Sequence, residues 1–190
     1  MTEQPKENLY QASEMKKVFQ SAEMALWLDG YDDIFSDFDH RPYSQRMISD
    51  DFLLEAMKAA RDRGKDNYEL KFLLAPEARN YPHEQVIKER LHHYFGTKYH
   101  QLVKDRKGII RNGLLMILCG VCLMFVASIV ATLYLDKNLL LNFVVALTEP
   151  AGWFLSWEGM SRAVYSSNKR KSEISFYNKM AKSKISFISY

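Results

Sequence analysis

Hydrophobic positions are unevenly spread along this chain, and the longest uncharged apolar run extends from Gly113 to Leu135. A helix over this run would be about 34 Å long at about 1.5 Å per residue. That length exceeds the roughly 30 Å of hydrocarbon in a bilayer. A second apolar segment, residues 139–165, follows the short polar connection Asp136–Lys137–Asn138. The pattern therefore predicts an antiparallel transmembrane helical hairpin over residues 113–165.

Ahead of the hairpin, the spacing of apolar residues changes period several times. Residues 22–29 and 68–75 alternate with a period near two, which is typical of strands, with a helix as the alternative for residues 22–29. Between them, a helix is predicted to start near Asp50, with Ser49 as a potential cap and apolar residues on one face. A second helix is predicted after Pro82, carrying Val86, Leu91, Tyr94, Phe95 and Leu102. Residues 22–112 thus form a predicted strand-helix-strand-helix domain, preceded by a polar lead-in over residues 1–21.

The tail after the hairpin, residues 166–190, is short but patterned. It carries a one-sided helix around Tyr177 and Met180 and an apolar, strand-like end that includes Ile185 and Phe187. A segment of this length cannot bury those side chains alone. We therefore expect the terminal strand to pair with the strand at Tyr68–Leu74. The predicted fold class is α+β: a small cytosolic domain closed by a C-terminal strand, with the two-helix hairpin inserted into it.

Charge refines this picture. The chain is 47% hydrophobic and 26% charged with a formal net charge of +3, averages that resemble an ordinary soluble domain and hide the apolar segments. Basic residues flank the hairpin, which places both termini in the cytosol by the positive-inside rule; they are Lys104, Arg106, Lys107, Arg111, Arg162, Lys169, Arg170 and Lys171. The predicted location is the cell membrane, the cytoplasmic membrane in a prokaryote. Since topology and anionic lipid explain these charges, no nucleic-acid partner is expected.

The start of the chain bears on membrane insertion. The stretch from Met1 to Gln11 is polar and has no apolar core of a signal peptide. We therefore expect the first hydrophobic segment to act as its own insertion signal.

An acidic loop follows the first predicted strand. Carboxylate oxygens bind hard cations, which makes Asp33, Asp37 and Asp39 a candidate metal site, although the spacing is not that of an EF-hand. Arg41 is close enough in sequence to neutralise them. The favoured interpretation is a turn held by local hydrogen bonds and ion pairs. The alternative to a metal site is a partner surface, formed by Asp32, Asp33, Asp37, Asp39, Arg41 and Tyr43.

Three further features lie within or beside the apolar segments. Cys119 and Cys122 have a redox or zinc spacing but sit among apolar residues, so we interpret them with Gly113 and Gly120 as part of a helix-contact face. Glu149 lies near the middle of the second segment beside Pro150. A carboxylate there costs about 2.5 kcal/mol or more unless it is protonated or paired. Glu149 therefore marks either a proton, ion or subunit contact site or a break in the segment.

The run YDDIFSDFDHRPYS at residues 31–44, followed by SDDFL at residues 49–53, resembles the N-terminal signature of an uncharacterised group of prokaryotic two-span membrane proteins. His40 stands where a second proline is expected. The resemblance implies the architecture and the membrane location, and it supplies no catalytic residue.

The predicted function is that of a non-enzymatic accessory or scaffold subunit without a cofactor. Its expected partners are the lipid bilayer and a membrane or cytosolic protein, or further copies of the chain. The alternative is a small oligomeric transporter or proton-coupled subunit that uses Glu149. A cation-dependent enzyme that uses the acidic loop is a third possibility.

Overall fold

A computed structural model describes residues 24–61, 69–134, 139–166, 168 and 170–189. The predicted lead-in at residues 1–21, the hairpin connection at residues 136–138 and Tyr68 lie outside the described residues. The chain divides into two compact units. The sheet unit comprises Met1–Tyr99 and Ser175–Tyr190, and the hairpin unit comprises His100–Ile174.

The sheet unit contains three parallel strands in the order β1-β2-β3. They are β1 (Met24–Trp27), β2 (Glu69–Leu74) and β3 (Lys184–Ser189). Ile185 pairs with Leu70 and Phe187 pairs with Phe72, so the predicted pairing of the terminal strand with the strand at residues 68–74 is confirmed. The α+β class is confirmed as well, with helix predominating.

Helices connect the strands of this sheet, because parallel neighbours need crossover connections. Helix α1 (Asp50–Arg61) connects β1 to β2, and α2 (Tyr81–Tyr134) begins after β2. A further helix, Lys171–Lys182, ends just before β3 and buries Phe176, Tyr177 and Met180. The central strand is fully buried at Leu70, Phe72 and Leu74.

The first turns of α2 carry a buried apolar stripe. Ile87, Leu91 and Phe95 are fully buried, at a spacing of one helical turn. Val86 is 37% exposed, because Ile87, not Val86, is in register with Leu91 and Phe95. The helix predicted after Pro82 is present and begins at Tyr81.

The hairpin unit contains the rest of α2 and helix α3 (Leu139–Ser161), which leads into a π-helical turn at Arg162–Ser166. Helix α3 is continuous through Pro150, so the segment does not break at Glu149. A Cβ atom added to Gly113 would meet Gly159, and one added to Gly120 would meet Gly152. Residue numbers rise along one helix as they fall along the other, so α2 and α3 pack antiparallel through glycines, and the predicted contact at Gly113 and Gly120 is confirmed.

Candidate functional site

The acidic loop, residues 31–48, is closed at its base by backbone contacts. It opens with a 3₁₀ turn at Tyr31–Ile34 and is pinned where Phe35 forms an antiparallel bridge with Ile48. The Ser36 N–H donates to the Met47 carbonyl at 2.9 Å, and the Ser49 N–H donates to the Ile34 carbonyl at 3.0 Å. Two residues near the start of the loop, Ile34 and Phe35, are buried. The loop is therefore a structured part of the sheet unit.

Two of its carboxylates hold the backbone of the turn. Asp33 Oδ2 accepts the N–H groups of Asp29 at 2.7 Å and Gly30 at 3.2 Å. Asp39 accepts from Arg41 Nε at 2.9 Å and Nη2 at 2.8 Å, and from the Met47 N–H at 2.7 Å. The hydrogen bonds from Arg41 hold the pKa of Asp39 well below its usual range. These contacts are the local hydrogen bonds and ion pairs predicted for the loop.

The three metal candidates do not converge. In the part of the chain that the structure describes, no three His, Cys, Asp or Glu side chains are placed to hold a metal ion. Asp33 accepts hydrogen bonds from residues 29 and 30, whereas Asp39 accepts them from residues 41 and 47. Asp37 is exposed. The carboxylates of Asp33 and Asp39 therefore stabilise the conformation of the acidic loop.

Arg46 joins the two sides of the loop. Its Nη1 donates to Asp32 Oδ1, which also accepts the Tyr43 hydroxyl at 3.3 Å. The guanidinium lies 5.6 Å from the centre of the Phe35 ring and 6.0 Å from that of Tyr43. Burial raises the pKa of Tyr43, and the Asp32 carboxylate raises it further. The predicted surface residues Asp32 and Tyr43 are thus brought into direct contact, and Arg46 contacts both of them.

A cavity of about 490 Å³ opens beside this cluster. Its wall combines the loop with the start of α2, and its lining residues are Arg41, Pro42, Tyr43, Ser44, Arg46, His83 and Val86. The His83 ring meets the Tyr43 ring edge-on with centroids 5.2 Å apart. His83 was not predicted as a site residue, because no pattern in the sequence links it to a loop about 40 residues earlier.

A buried polar network supports the loop from below. The Asn80 N–H donates to the Tyr31 hydroxyl at 2.7 Å, and that hydroxyl donates to Glu84 at 3.2 Å. Arg79 binds Glu84 through two contacts, 2.8 and 3.0 Å long, and reaches Ser189 at the end of β3 at 3.1 Å. Burial raises the pKa of the Tyr31 hydroxyl. The network ties the loop, the start of α2 and the last strand into one body.

The loop exposes one apolar side chain near its tip and another near its base. Phe38 is 100% exposed, and Met47 is also largely exposed. Asp37 and His40 beside Phe38 are exposed as well. The structured loop therefore holds one phenylalanine ring entirely in solvent.

Glu149 lies elsewhere, in the hairpin unit. It is exposed in the middle of α3, and among the described residues it makes no hydrogen bond or ion pair. Glu158, by contrast, accepts from Arg162 at 2.7 Å. Cys119 and Cys122 are free, exposed thiols, so the prediction that they belong to the same helix-contact face as Gly113 and Gly120 is wrong.

Comparisons with protein-family models, with curated proteins and with solved structures found no match.

Proposed function

We propose that this chain is an integral membrane protein that anchors a folded, non-enzymatic accessory or scaffold domain at the membrane. One observation carries the proposal. Two helices are long and apolar enough to cross a membrane by length and composition. In the most apolar 18-residue stretch of each helix, only 11% of the residues are buried. The core helix of a soluble protein would be mostly buried, because exposed apolar surface costs about 25 cal/mol per Å² in water.

The proposed location is the cell membrane, with both termini in the cytosol. Basic side chains bracket the hairpin on the α2 side at Lys104, Lys107 and Arg111, and on the other side at Arg162 and Arg170. The positive-inside rule places both groups on the cytosolic face. The sheet unit would then be presented to cytosolic partners. We also propose membership of the prokaryotic two-span group that the signature at residues 31–44 resembles.

The acidic loop is the proposed recognition surface, and its partner is a protein. Its hydrogen bonds and its network with Glu84 fix the loop before binding, so little conformational entropy would be lost on association. Phe38 would insert into an apolar pocket of the partner. The cavity beside Tyr43 offers a second contact point with hydroxyl, imidazole and guanidinium groups.

Two measurements test the membrane anchor. After alkaline carbonate extraction the full chain should stay with the membrane pellet. Reporter fusions at the two termini should both report the cytosolic side. Release of the chain into the supernatant would refute the anchor, and fusions on opposite sides would refute the hairpin.

The recognition surface is tested with Phe38→Ala. Because the ring is fully exposed, the thermal midpoint should stay unchanged, whereas co-purification of a stoichiometric partner should fall at least tenfold. Leu54→Ala is the matched control, since Leu54 is an exposed apolar residue on α1 outside the loop. Equal partner recovery with both variants would refute the assignment of the loop.

The alternative function is that of a small oligomeric transporter or proton-coupled subunit. The exposed position of Glu149, which makes no hydrogen bond or ion pair among the described residues, favours it, because a carboxylate within a membrane span is costly unless it has a partner. Two helices with one carboxylate cannot enclose a conduction path, so this function requires several copies of the chain.

A further inference from the structure

Two adjoining cavities lie within the hairpin unit, where the cationic end of α2 meets its apolar run. The first, of about 570 Å³, is lined by Lys104, Lys107, Arg111 and Arg170, with Asp105 and Gly108 in its wall. The second, of about 360 Å³, is lined by Lys107 and Arg111 together with Ile110, Leu114, Leu115 and Leu118. The two cavities share Lys107 and Arg111.

The first cavity is electrostatically suited to an anion. Four cationic side chains line it against one carboxylate, and that carboxylate is 3.5 Å from Arg170. Lys104, Lys107 and Arg111 are exposed on successive turns of α2. A Cβ atom added to Gly108 would meet nothing within 4 Å, which leaves room above the helix backbone. The cavity therefore combines space with an excess of positive charge.

The second cavity is suited to a hydrocarbon chain. Leu114, Leu115 and Leu118 are all more than half exposed, and together with Ile110 they form one stripe along α2. From Ile110 to Leu118 the stripe spans about 12 Å at about 1.5 Å per residue. One leaflet of a bilayer contributes about 15 Å of hydrocarbon. The groove thus covers most of the length of a single acyl chain, and it begins beside the cations of the first cavity.

We propose that the hairpin unit binds an anionic phospholipid, with the phosphate in the cationic cavity and one acyl chain along the leucine groove. The inference rests on the proposal that the hairpin spans a membrane. It goes beyond that proposal because general attraction to a charged surface needs neither a cavity nor a groove. The bound lipid belongs to the leaflet on the side of Lys104 and Lys107.

The test uses the full chain in nanodiscs of phosphatidylcholine with increasing phosphatidylglycerol, and native mass spectrometry counts the lipids retained after release. We expect at least one phosphatidylglycerol to be retained at least tenfold more often than phosphatidylcholine. Since a nanodisc exposes both faces, the orientation of insertion does not affect the count. Equal retention of the two lipids would overturn the proposal.

Variants distinguish binding at the two cavities from a general effect of positive charge on lipid retention. Lys107→Gln with Arg111→Gln should reduce retention at least tenfold. The control removes two cations outside both cavities, Lys98→Gln with Lys171→Gln, and should leave retention within twofold of wild type. Gly108→Leu fills the first cavity without changing the charge and should also reduce retention. If the control lowers retention as much as the cavity variants do, the proposal is wrong.

Two further arms identify the source of the phosphate and isolate the membrane anchor. Excess inorganic phosphate should not displace the lipid, because it lacks the acyl chain; displacement would overturn the proposal in favour of a free-phosphate site. Carbonate extraction is run on the same variants. Chains that stay in the pellet yet retain no anionic lipid refute the lipid site alone, whereas release of the wild type refutes the membrane anchor itself.

Discussion

Gly113 and Gly159 approach so closely that a Cβ atom added to Gly159 would lie 2.6 Å from the carbonyl oxygen of Gly113. The reverse addition, a Cβ atom on Gly113, would lie 2.7 Å from the carbonyl oxygen of Gly159. Neither distance is compatible with van der Waals contact. In the proposed membrane, neighbouring lipid would be as apolar as the helices, so close backbone packing would be the main source of attraction between α2 and α3.

Gly113→Ala or Gly159→Ala should therefore force the two helices apart. We expect a loss of about 1–3 kcal/mol, the usual range for overpacking, seen as a lower thermal midpoint in detergent. Gly96→Ala is the matched control, because a Cβ atom there meets nothing within 4 Å. It should be neutral or stabilising, since alanine favours helix over glycine by about 1 kcal/mol. A midpoint for Gly159→Ala equal to that of Gly96→Ala would contradict the glycine contact.

Removal of the last strand should unfold the sheet unit. Phe187 is buried, with its ring centre 5.1 Å from that of Phe72 and 5.7 Å from that of Tyr31. Deletion of residues 183–190 exposes one side of β2, so we expect rapid proteolysis within residues 24–99. Phe187→Ala alone should cost about 3–5 kcal/mol. Lys184→Ala, at an exposed position on the same strand, should behave as wild type. A truncated chain that resists protease as well as the full chain does would disprove the role of the strand.

Stability should decline at alkaline pH, because the pKa values of Tyr31, Tyr43 and Tyr94 are all raised in the folded chain, mainly by burial. A raised tyrosine pKa means that the protonated phenol favours the folded state. That contribution is complete below pH 10, the ordinary value, and is lost as the pH rises through the folded pKa. Thermal midpoints of wild type and Tyr43→Phe, measured from pH 8 to 11, should diverge above pH 10, with the variant falling less steeply. Parallel curves would show that Tyr43 titrates as it does in the unfolded chain.

Substitutions at Glu149 distinguish the scaffold from transport. If the carboxylate only makes hydrogen bonds to a neighbour in the membrane, Glu149→Gln keeps an acceptor and should function as wild type, whereas Glu149→Leu should lose abundance or partner binding. If the carboxylate carries protons, the Glu149→Gln variant should assemble normally but should not complement the deletion phenotype. The measurement pairs membrane abundance with complementation of the deletion phenotype. We expect Gln to complement; a Gln variant that accumulates normally but does not complement would refute the scaffold function.

Strands and helices could be predicted where the spacing of apolar residues indicates which side chains are buried. Ile185 and Phe187 were expected beside residues 68–74 because neither segment could bury its apolar side chains alone, and the structure pairs them. The parallel direction of all three strands was not predicted, since an alternating pattern reads the same in both directions. Which of the adjacent apolar residues Val86 and Ile87 is buried was also not predicted, and the structure buries Ile87.

The supporting network of the candidate site escaped prediction for a different reason. Arg79 and Glu84 are charged residues that a sequence pattern places in solvent, yet Glu84 is buried and paired. Their burial depends on Tyr31 and Ser189, which are remote in sequence and meet them only in the folded sheet unit. The acidic loop itself was identified from its composition. The cavity beside it was not, because His83 comes from another element.

The order of the strands along the chain has a consequence for biosynthesis. Strand β2 is the centre of the sheet, but its neighbour β3 is made about 110 residues later, after both apolar helices. At roughly 5–20 residues per second, the ribosome needs several seconds to about 20 seconds to reach it. Throughout that interval one edge of β2 has no native partner, while the two apolar helices are synthesised. Completion of the sheet must therefore follow synthesis of the hairpin, so a chain stalled between the two apolar helices would expose an open strand edge to chaperones and proteases.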